Sequence, residues 1–220
     1  MTEMIKLNLQ FFGGRGAGSD LPESNPSGGG GGGSTGLDAQ PGMAATAAEA
    51  LGTKGRPMST TAAVSGANPL YSMGPEYQEN CQRAIIATEA RFRGYDVVAL
   101  PTFDNDTMPI NNNYLDNFVG AKARMKTLKG QKSVEASMKA EGDGARAVMA
   151  VKWKGGGAGH VINVVQRNGK THYYDGQDGS RVNSKSLFNA ISKSAGVRLT
   201  RIDDLPFSDT VNQSVRKRGG

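Results

Sequence analysis

The sequence predicts an α+β fold in which a helix that carries the only cysteine packs on an antiparallel sheet, preceded by a disordered Gly-rich arm. Three observations support this prediction. The composition changes near residue 68, apolar residues then recur at helical spacing, and the chain after residue 144 is rich in β-branched and aromatic residues with an Asn-Gly pair between two segments. Helices followed by neighbouring strands are typical of an α+β domain.

Residues 1–68 are rich in Gly, Ala, Ser, Thr and Pro and include a run of glycines at 28–33. This composition buries too little apolar surface to offset the entropy of ordering the chain, so we expect a flexible arm. Within the arm, apolar and polar residues alternate over residues 4–12 with the period of a strand. We expect the folded domain to occupy residues 69–210 and a basic tail to occupy residues 211–220.

The first predicted element of the domain is a helix that begins near Pro75 and ends before Gly94. Proline is tolerated in the first turn of a helix, and glycine is common directly after the last turn. Cys81 and Ile85 then share one face of the helix. If the helix begins later, Asn80 is a suitable N-cap residue and Cys81 stands in the first turn.

The next predicted elements are one strand and two helices. The segment "YDVVALP" indicates a buried strand that Pro101 ends, and a polar loop follows it. The segment "YLDNFVGAKARMKTL" predicts an amphipathic helix over residues 114–128, and "SVEASMKAEG" predicts a second helix that ends at Gly142. The residues of the first amphipathic helix that we expect to face inward are Leu115, Phe118, Val119, Met125 and Leu128.

The remaining segments predict the sheet. "ARAVMAVKW", "GHVINVVQR" and "KTHYYD" have the composition of strands, and Asn-Gly between the last two favours a tight type I′ hairpin turn. "SKSLFNAIS" predicts a short helix, and "GVRLTRID" predicts a final strand.

Cys81 is either a nucleophile or a small buried thiol without reactivity. A thiolate is the nucleophilic form, and a neighbouring imidazole or a helix N-terminus can stabilise it. The backbone N–H of Cys81 would be one donor of an oxyanion hole. A side-chain amide from Gln78, Asn80 or Gln82 would be the other, and the sequence does not rank these three.

The chain has two histidines, and the register of the predicted hairpin distinguishes between them. If the residues that flank the Asn-Gly turn pair with each other, His160 lies opposite Gln177, and Asp175 is one diagonal step away on the same face. His172 then lies on the opposite face. The sequence therefore predicts His160 as the general base and Asp175 as the acid that orients it. Gln177 would orient the imidazole in place of Asp175 or donate to an oxyanion.

The composition argues against several other classes of protein. The net charge of +6 and the pI near 9.5 favour anionic partners, but the basic residues are not interleaved with aromatic residues, which disfavours nucleic acid. No apolar run approaches the roughly 18 residues of a membrane span, so we expect no membrane partner. The sequence has neither a phosphate-binding loop nor paired metal ligands, and cysteine chemistry needs no cofactor.

The chain resembles the papain-fold toxin family of bacterial polymorphic toxins and some phage head-associated proteins. The resemblance is carried by "NPLYSMGPEYQENCQRAIIATEARFRGYDVVALP", "GHVINVV", "YYDGQDG" and "RIDDL", and it covers roughly residues 68 to 206. It implies a papain-like fold in which Cys81 is the nucleophile, His160 the base and Asp175 the orienting acid. Gly176 stands where Pro is common in the family, which would loosen the placement of Asp175, and Ala84 stands where a second Cys is frequent.

The resemblance implies a cysteine-dependent amidohydrolase that deamidates glutamine in a protein substrate. "KLNLQFFGGRG" near the N-terminus resembles tailed-phage head proteins, which implies synthesis in the host cytoplasm and association with the virion through residues 4–12. Two alternatives are a papain-like peptidase and a virion structural or cargo protein without catalytic activity.

Overall fold

The computed structural model describes residues 42–102, 113–156 and 159–219. The helices are α1 (Ala47–Leu51), α2 (Thr60–Ser65), α3 (Pro75–Gln78), α4 (Cys81–Phe92), α5 (Gln131–Glu141) and α6 (Ser184–Ala190). The strands are β1 (Val97–Ala99), β2 (Lys126–Leu128), β3 (Arg146–Lys152), β4 (Gly159–Arg167), β5 (Lys170–Asp175), β6 (Ser180–Val182), β7 (Val197–Arg201) and β8 (Val215–Lys217). Within the described ranges, none of the helices has the length and apolar character that crossing a bilayer requires.

A six-stranded antiparallel sheet forms the centre of the fold, with strand order β2-β7-β3-β4-β5-β6. Helix α4 packs on one face of this sheet, and helices α5 and α6 pack on the other. Ile85 of α4 belongs to the same buried cluster as Val148 and Val161, whereas Met138 of α5 belongs to the cluster of Met149. The prediction of an α+β fold with the Cys-bearing helix on an antiparallel sheet is confirmed.

The hairpin between β4 and β5 has the predicted register. Arg167 pairs with Lys170, and Asn168 and Gly169 between them have φ values of 52° and 69°. Two consecutive positive φ angles define the type I′ turn that Asn-Gly favours. This local turn determines which side chains share a face at the far end of the hairpin, where His160 and Asp175 lie.

The predicted helix over residues 75–93 is interrupted once. A short helix, α3, ends at Gln78, and α4 begins at Cys81. Helix α4 ends where expected, because Gly94 follows its last turn with φ 100°. The sequence allowed a start near Pro75 or a later start beside Asn80. The helix that carries Cys81 has the later start.

The predicted amphipathic helix over residues 114–128 is wrong. This segment instead forms the 3-10 helices Asn113–Asn117 and Ala121–Arg124, followed by strand β2. Gly120 lies between the two 3-10 helices with φ 77°, a left-handed conformation that a continuous α-helix does not contain. Leu115 and Phe118 are buried as predicted, whereas Val119 is 53% exposed.

The predicted domain boundaries at residues 68 and 210 are also wrong. Residues 47–51 and 60–65 form α1 and α2, and Ala50 and Val64 are buried in them. Thr46 caps α1 in a capping box with Glu49, a sequence signal that the Gly-rich surroundings obscured. In the predicted tail, β8 pairs with β1. The strand-like segment at residues 4–12 and most of the polar loop after Pro101 lie outside the described residues.

Candidate active site

Cys81 stands at the first position of α4, where backbone N–H groups have no partner within the helix. The N–H groups of Arg83 and Ala84 donate to the carbonyl of Asn80 at 2.8 and 3.0 Å. Within the described part of the chain, the N–H groups of Cys81 and Gln82 are therefore the first-turn donors that remain for a ligand. This position gives a thiolate at Cys81 the favourable end of the helix dipole.

His160 and Asp175 form the contact that the hairpin register predicts. Nε2 of His160 lies 2.6 Å from Oδ2 of Asp175, and the two side chains are 14% and 16% exposed. The other oxygen of Asp175, Oδ1, accepts a hydrogen bond of 2.9 Å from the backbone N–H of Gln177. His160 also interacts with the thiol of Cys81. Because Nε2 is engaged by Asp175, Nδ1 is the ring nitrogen left for the thiol.

The environment of His160 favours the imidazolium form. Burial lowers the pKa of His160, but the charge of Asp175, the hydrogen bond to it and the contact with Cys81 together outweigh burial and raise this pKa well above 6.5. At neutral pH the site therefore places a cation beside the thiol. An imidazolium in that position stabilises the thiolate through its charge.

The raised pKa of His160 makes the ion pair with Asp175 a pH-dependent source of stability. Because the pKa in the folded protein exceeds that in the unfolded chain, the contribution is complete below about pH 6.5 and is lost as pH rises through the folded value. We expect Asp175→Asn to lower the free energy of unfolding more at pH 6 than at pH 9, as measured by urea unfolding. In a His160→Gln background the same substitution should lose this pH dependence. A loss of equal size at both pH values would contradict the prediction.

Trp153 covers the imidazole and is a site residue that the sequence analysis missed. Its ring stacks on His160 with centroids 5.9 Å apart and an angle of 23° between the planes. Trp153 follows β3 directly, so its position depends on how β3 pairs with β4 rather than on any local motif. The only available signal was that a single tryptophan ends a predicted strand just before a Gly-rich turn. The stacked indole limits the access of water to the bond between His160 and Asp175.

The remaining predicted candidates have different surroundings. Gln78 donates from Nε2 to the carbonyl of Tyr71 at 3.2 Å, and the buried Oε1 of Gln82 has no hydrogen-bond partner among the described residues. Gln177 contacts Asp175 through its backbone N–H. His172 is excluded from the site, as predicted, and Arg181 lies 2.9 Å from its Nδ1.

Asn80 does not fit either role that the sequence suggested for it. Its side chain does not cap α4 but donates to Oδ1 of Asn68 at 3.1 Å and to the carbonyl of Leu100 at 3.0 Å. Both of its amide hydrogens are therefore engaged, and only 2% of the residue is exposed. We conclude that Asn80 is a structural residue and not an oxyanion donor.

Asn68 joins the two halves of the site and was missed by the sequence analysis. Its Nδ2 lies 2.7 Å from the carbonyl of Tyr77, 2.8 Å from the carbonyl of Gln177 and 3.2 Å from Oδ1 of Asn80. Asn80 precedes the nucleophile candidate and Gln177 holds Asp175, so one buried amide connects both. Its role was not predicted, because its partners lie up to 109 positions away in the chain.

Asn68→Ala should weaken both the fold and the geometry of the site. The partly buried carbonyl oxygens of Tyr77 and Gln177 would lose a donor, and a buried group left unsatisfied costs about 1–3 kcal/mol at most here. We expect a lower free energy of unfolding by urea and, in the folded fraction, slower alkylation of Cys81 with an altered pH profile. Asn212→Ala, which removes an amide that bonds to the carbonyl of Ala44, is the control that should leave the profile unchanged. An unchanged pH profile in Asn68→Ala would contradict a positioning role.

Gly176 places the end of β5 directly against α4. A Cβ atom at this position would lie 2.2 Å from Oγ1 of Thr88 and 2.9 Å from the carbonyl oxygen of Ala84. Thr88 has little freedom to move, because its hydroxyl donates to that same carbonyl at 2.8 Å. The expectation that Gly176 loosens the placement of Asp175 is therefore wrong: glycine permits the close approach that brings Asp175 to the helix.

Gly176→Ala should destabilise the protein and displace Asp175 from His160. Overpacking of this kind costs about 1–3 kcal/mol, and the backbone carbonyl of Ala84 cannot retreat without bending α4. We expect a lower midpoint in urea unfolding, with partial recovery in Gly176→Ala/Thr88→Ala. Gly55→Ala is a matched control, since its Cβ would meet its nearest neighbour at an ordinary 3.5 Å. Equal stability of the Gly55 and Gly176 variants would refute this account.

A buried network of charges fixes α4 in the fold. Glu89 has no exposed surface and forms ion pairs with Nε of Arg93 and Nε of Arg146, each at 2.7 Å. Arg93 also donates to the carbonyls of Leu205 and Ile202 at 2.6 Å. The network links the helix that carries Cys81 to β3 and to the segment after β7.

The fold and the site together define a class of protein. In papain-like cysteine hydrolases, a helix that begins at a thiol packs on an antiparallel sheet whose strands supply the imidazole and its acidic partner, and this domain has that architecture. Residues 79–180 match the family described as papain fold toxin 1, glutamine deamidase. Over these residues the chain is similar to the papain-fold toxin family, and the match supports a cysteine-dependent, deamidase-like enzyme.

The match confirms the family that the sequence motifs indicated, but it does not extend to Asn68 or to the N-terminal residues 4–12. Comparisons with curated proteins and with solved structures give no match. The resemblance of the N-terminus to phage head proteins therefore stays a prediction.

Proposed function

We propose that the domain hydrolyses the side-chain amide of glutamine in a protein substrate, with Cys81 as nucleophile, His160 as base and acid, and Asp175 as the orienting carboxylate. The observation that carries the proposal is the placement of His160 between Asp175, at 2.6 Å, and the thiol of Cys81 at the start of α4. The match of residues 79–180 to a glutamine deamidase family supports the choice of substrate.

The reaction proceeds in two halves. The thiolate of Cys81 attacks the carboxamide carbon, and the negative charge on oxygen is stabilised by the N–H of Cys81 and a second donor, for which Gln78 and Gln82 are candidates. The C–N bond breaks as His160 gives its proton to the leaving nitrogen, which departs as ammonia. Water then attacks the thioester with His160 as base, and glutamate and the free thiol form. The residues supply every proton transfer, so no cofactor takes part.

Turnover is tested by incubating the protein with a bacterial lysate and measuring both ammonia release and peptide masses by mass spectrometry. We expect glutamine-to-glutamate conversion at discrete sites with equimolar ammonia, and neither product from Cys81→Ala. New peptide termini without ammonia would instead identify a peptidase. If neither ammonia nor altered peptides form, and if every phenotype of the protein is the same in Cys81→Ala, the result would favour a structural or cargo protein without catalytic activity.

We also propose that residues 4–12 dock the protein to a phage head after synthesis in the host cytoplasm. This proposal is supported by the N-terminal sequence alone, which resembles head proteins. Deletion of residues 1–20 should abolish incorporation into particles, as measured by immunoblotting of purified virions, while the deamidation activity stays intact. Normal incorporation of the truncated protein would contradict docking through this segment.

A further inference from the structure

The side-chain amide of Gln82 stands beside the nucleophile candidate without a hydrogen bond. Its Oε1 is buried and has no partner, and its Nε2 forms no hydrogen bond within the described part of the chain. A buried polar group that is left unpaired costs free energy, so its presence in a native structure needs an explanation. Gln82 directly follows Cys81 in the first turn of α4, which indicates that the missing partner is the substrate.

The geometry of the helix directs this amide towards the free end of α4. Side chains in an α-helix lean towards its N-terminus, so the carboxamide of a residue in the first turn lies over the start of the helix. There the N–H groups of Cys81 and Gln82 have no partner within the helix. Gln82 therefore brings a side-chain donor to the same end of the helix as the backbone N–H of Cys81.

Two of the other amides near Cys81 are already engaged by the protein. Both amide hydrogens of Asn80 donate to protein oxygens, at 3.1 and 3.0 Å. Nε2 of Gln78 donates to a backbone carbonyl at 3.2 Å. Either residue would have to weaken a bond within the protein to bind an oxyanion, whereas Gln82 has none to lose. Preorganised donors stabilise developing charge most effectively, because they do not have to rearrange during the reaction.

Gln177, the remaining amide, contributes to the site through its main chain. Its N–H donates to Asp175 at 2.9 Å, and its carbonyl accepts from Asn68 at 2.8 Å. Gln177 follows the strand that ends at Asp175, so it belongs to the segment that holds the acid. Gln82 instead belongs to the helical turn that holds the thiol. The oxyanion forms on the oxygen next to the carbon that the thiol attacks, which favours the donor beside Cys81.

We propose that Nε2 of Gln82 is the second donor of the oxyanion hole, together with the backbone N–H of Cys81. When the thiolate attacks the carboxamide, a bond forms between sulfur and carbon, and the electron pair of the C=O group moves onto oxygen. The two N–H groups hold this charge until the pair returns and the C–N bond breaks, with the proton for ammonia supplied by His160. This assignment rests on the proposed function and names a further catalytic residue for it.

Two reagents separate stabilisation of an oxyanion from activation of the thiol. Iodoacetamide alkylates Cys81 without forming an oxyanion. The ester p-nitrophenyl butyrate acylates the thiol through a tetrahedral oxyanion and releases nitrophenolate, and its butyryl group has the carbon chain of glutamine from Cα to Cδ. Because Cys81 is the single cysteine, Cys81→Ala supplies the background for both reagents. The ratio of the acylation rate to the alkylation rate then reports on the oxyanion hole without a protein substrate.

Gln82→Met removes the amide and keeps the approximate size of the side chain. We expect the acylation rate to fall about 10- to 100-fold, the factor of one hydrogen bond to a charged group, while the alkylation rate and its pH profile stay unchanged. Because Oε1 has no partner to lose, the free energy of unfolding by urea should be equal or higher in this variant. Gln131→Met, at the first position of α5 on the opposite face of the sheet, is the matched control and should leave the ratio unchanged.

Several results would overturn the assignment. One is an unchanged acylation rate in Gln82→Met, and another is a parallel fall of both rates. A larger loss of the ratio in Gln78→Met or Gln177→Met would assign the second donor to that residue instead. Acylation of the wild-type protein that does not exceed the Cys81→Ala background would show that the site has no working oxyanion hole. Failure of the proposed function is separate, because it would appear as absence of ammonia release from protein substrates while the ratio still depends on Gln82.

Discussion

His160→Ala should abolish the reactivity of Cys81 at low pH. Because the pKa of His160 lies well above 6.5, the wild-type protein carries an imidazolium beside the thiol at pH 6. We expect the rate of alkylation by iodoacetamide to form a plateau that extends below pH 7. An ordinary free thiol, with a pKa near 8.5, is almost entirely protonated at pH 6, so the variant should react on the order of 100-fold more slowly there. Turnover should fall on the order of 10³-fold or more.

The single cysteine makes this measurement unambiguous, since every alkylated molecule reports on Cys81. His172→Ala is the control, because His172 lies on the opposite face of the hairpin and should have no effect on the profile. Asp175→Asn removes the largest influence that raises the pKa of His160, so the thiolate should lose the support of the imidazolium and the onset of alkylation should move to higher pH in this variant. A wild-type rate that simply rises near pH 8.5, as in His160→Ala, would disprove the thiolate–imidazolium pair.

Glu89→Gln should cause the largest loss of stability among single substitutions in α4. The carboxylate has no exposed surface, and its oxygens lie 2.7 Å from Nε of Arg93 and 2.7 Å from Nε of Arg146. The substitution preserves the size of the side chain but leaves two largely buried guanidinium groups without their counter-ion. Breaking a buried ion pair in this way costs about 3–5 kcal/mol. Urea unfolding followed by Trp153 fluorescence measures the loss.

An exposed ion pair provides the comparison for Glu89. Asp116 lies 2.6 Å from Nζ of Lys122, and these side chains are 44% and 54% exposed. Asp116→Asn should therefore change the free energy of unfolding by less than about 1 kcal/mol. Similar effects of the two substitutions would show that burial of the Glu89 network does not control the stability of the domain.

Sequence reasoning predicted the candidate catalytic residues because each depends on local structure. Asn-Gly determines the turn, the turn determines the register, and the register puts His160 beside Asp175. The start of α4 likewise places Cys81 in the first turn of a helix, where the N–H groups have no partner within the helix. Trp153 and Asn68 were not predicted, because their positions in the site depend on pairings between segments far apart in the chain.

The wrong predictions about the fold also arise because contacts between segments far apart in the chain decide the local structure. Apolar spacing over residues 114–128 predicted a helix, but Gly120 adopts a left-handed conformation and β2 pairs with β7 instead. Residues 42–68 looked like a linker by composition, although α1 and α2 bury small apolar side chains against the rest of the domain. Alanine-rich helices of five or six residues are too short to be stable alone, so only packing decides whether they form.

The sequence by itself therefore determined the fold class, the hairpin register, the closeness of His160 to Asp175 and the place of Cys81 at the start of a helix, because turn chemistry and periodicity act over a few residues. Only the tertiary structure decided how α4 meets the sheet, through the close approach at Gly176 and the buried charges around Glu89. It also decided which side chains surround the thiol, because contacts such as that from Asn68 to Gln177 span 109 positions and no local pattern encodes them.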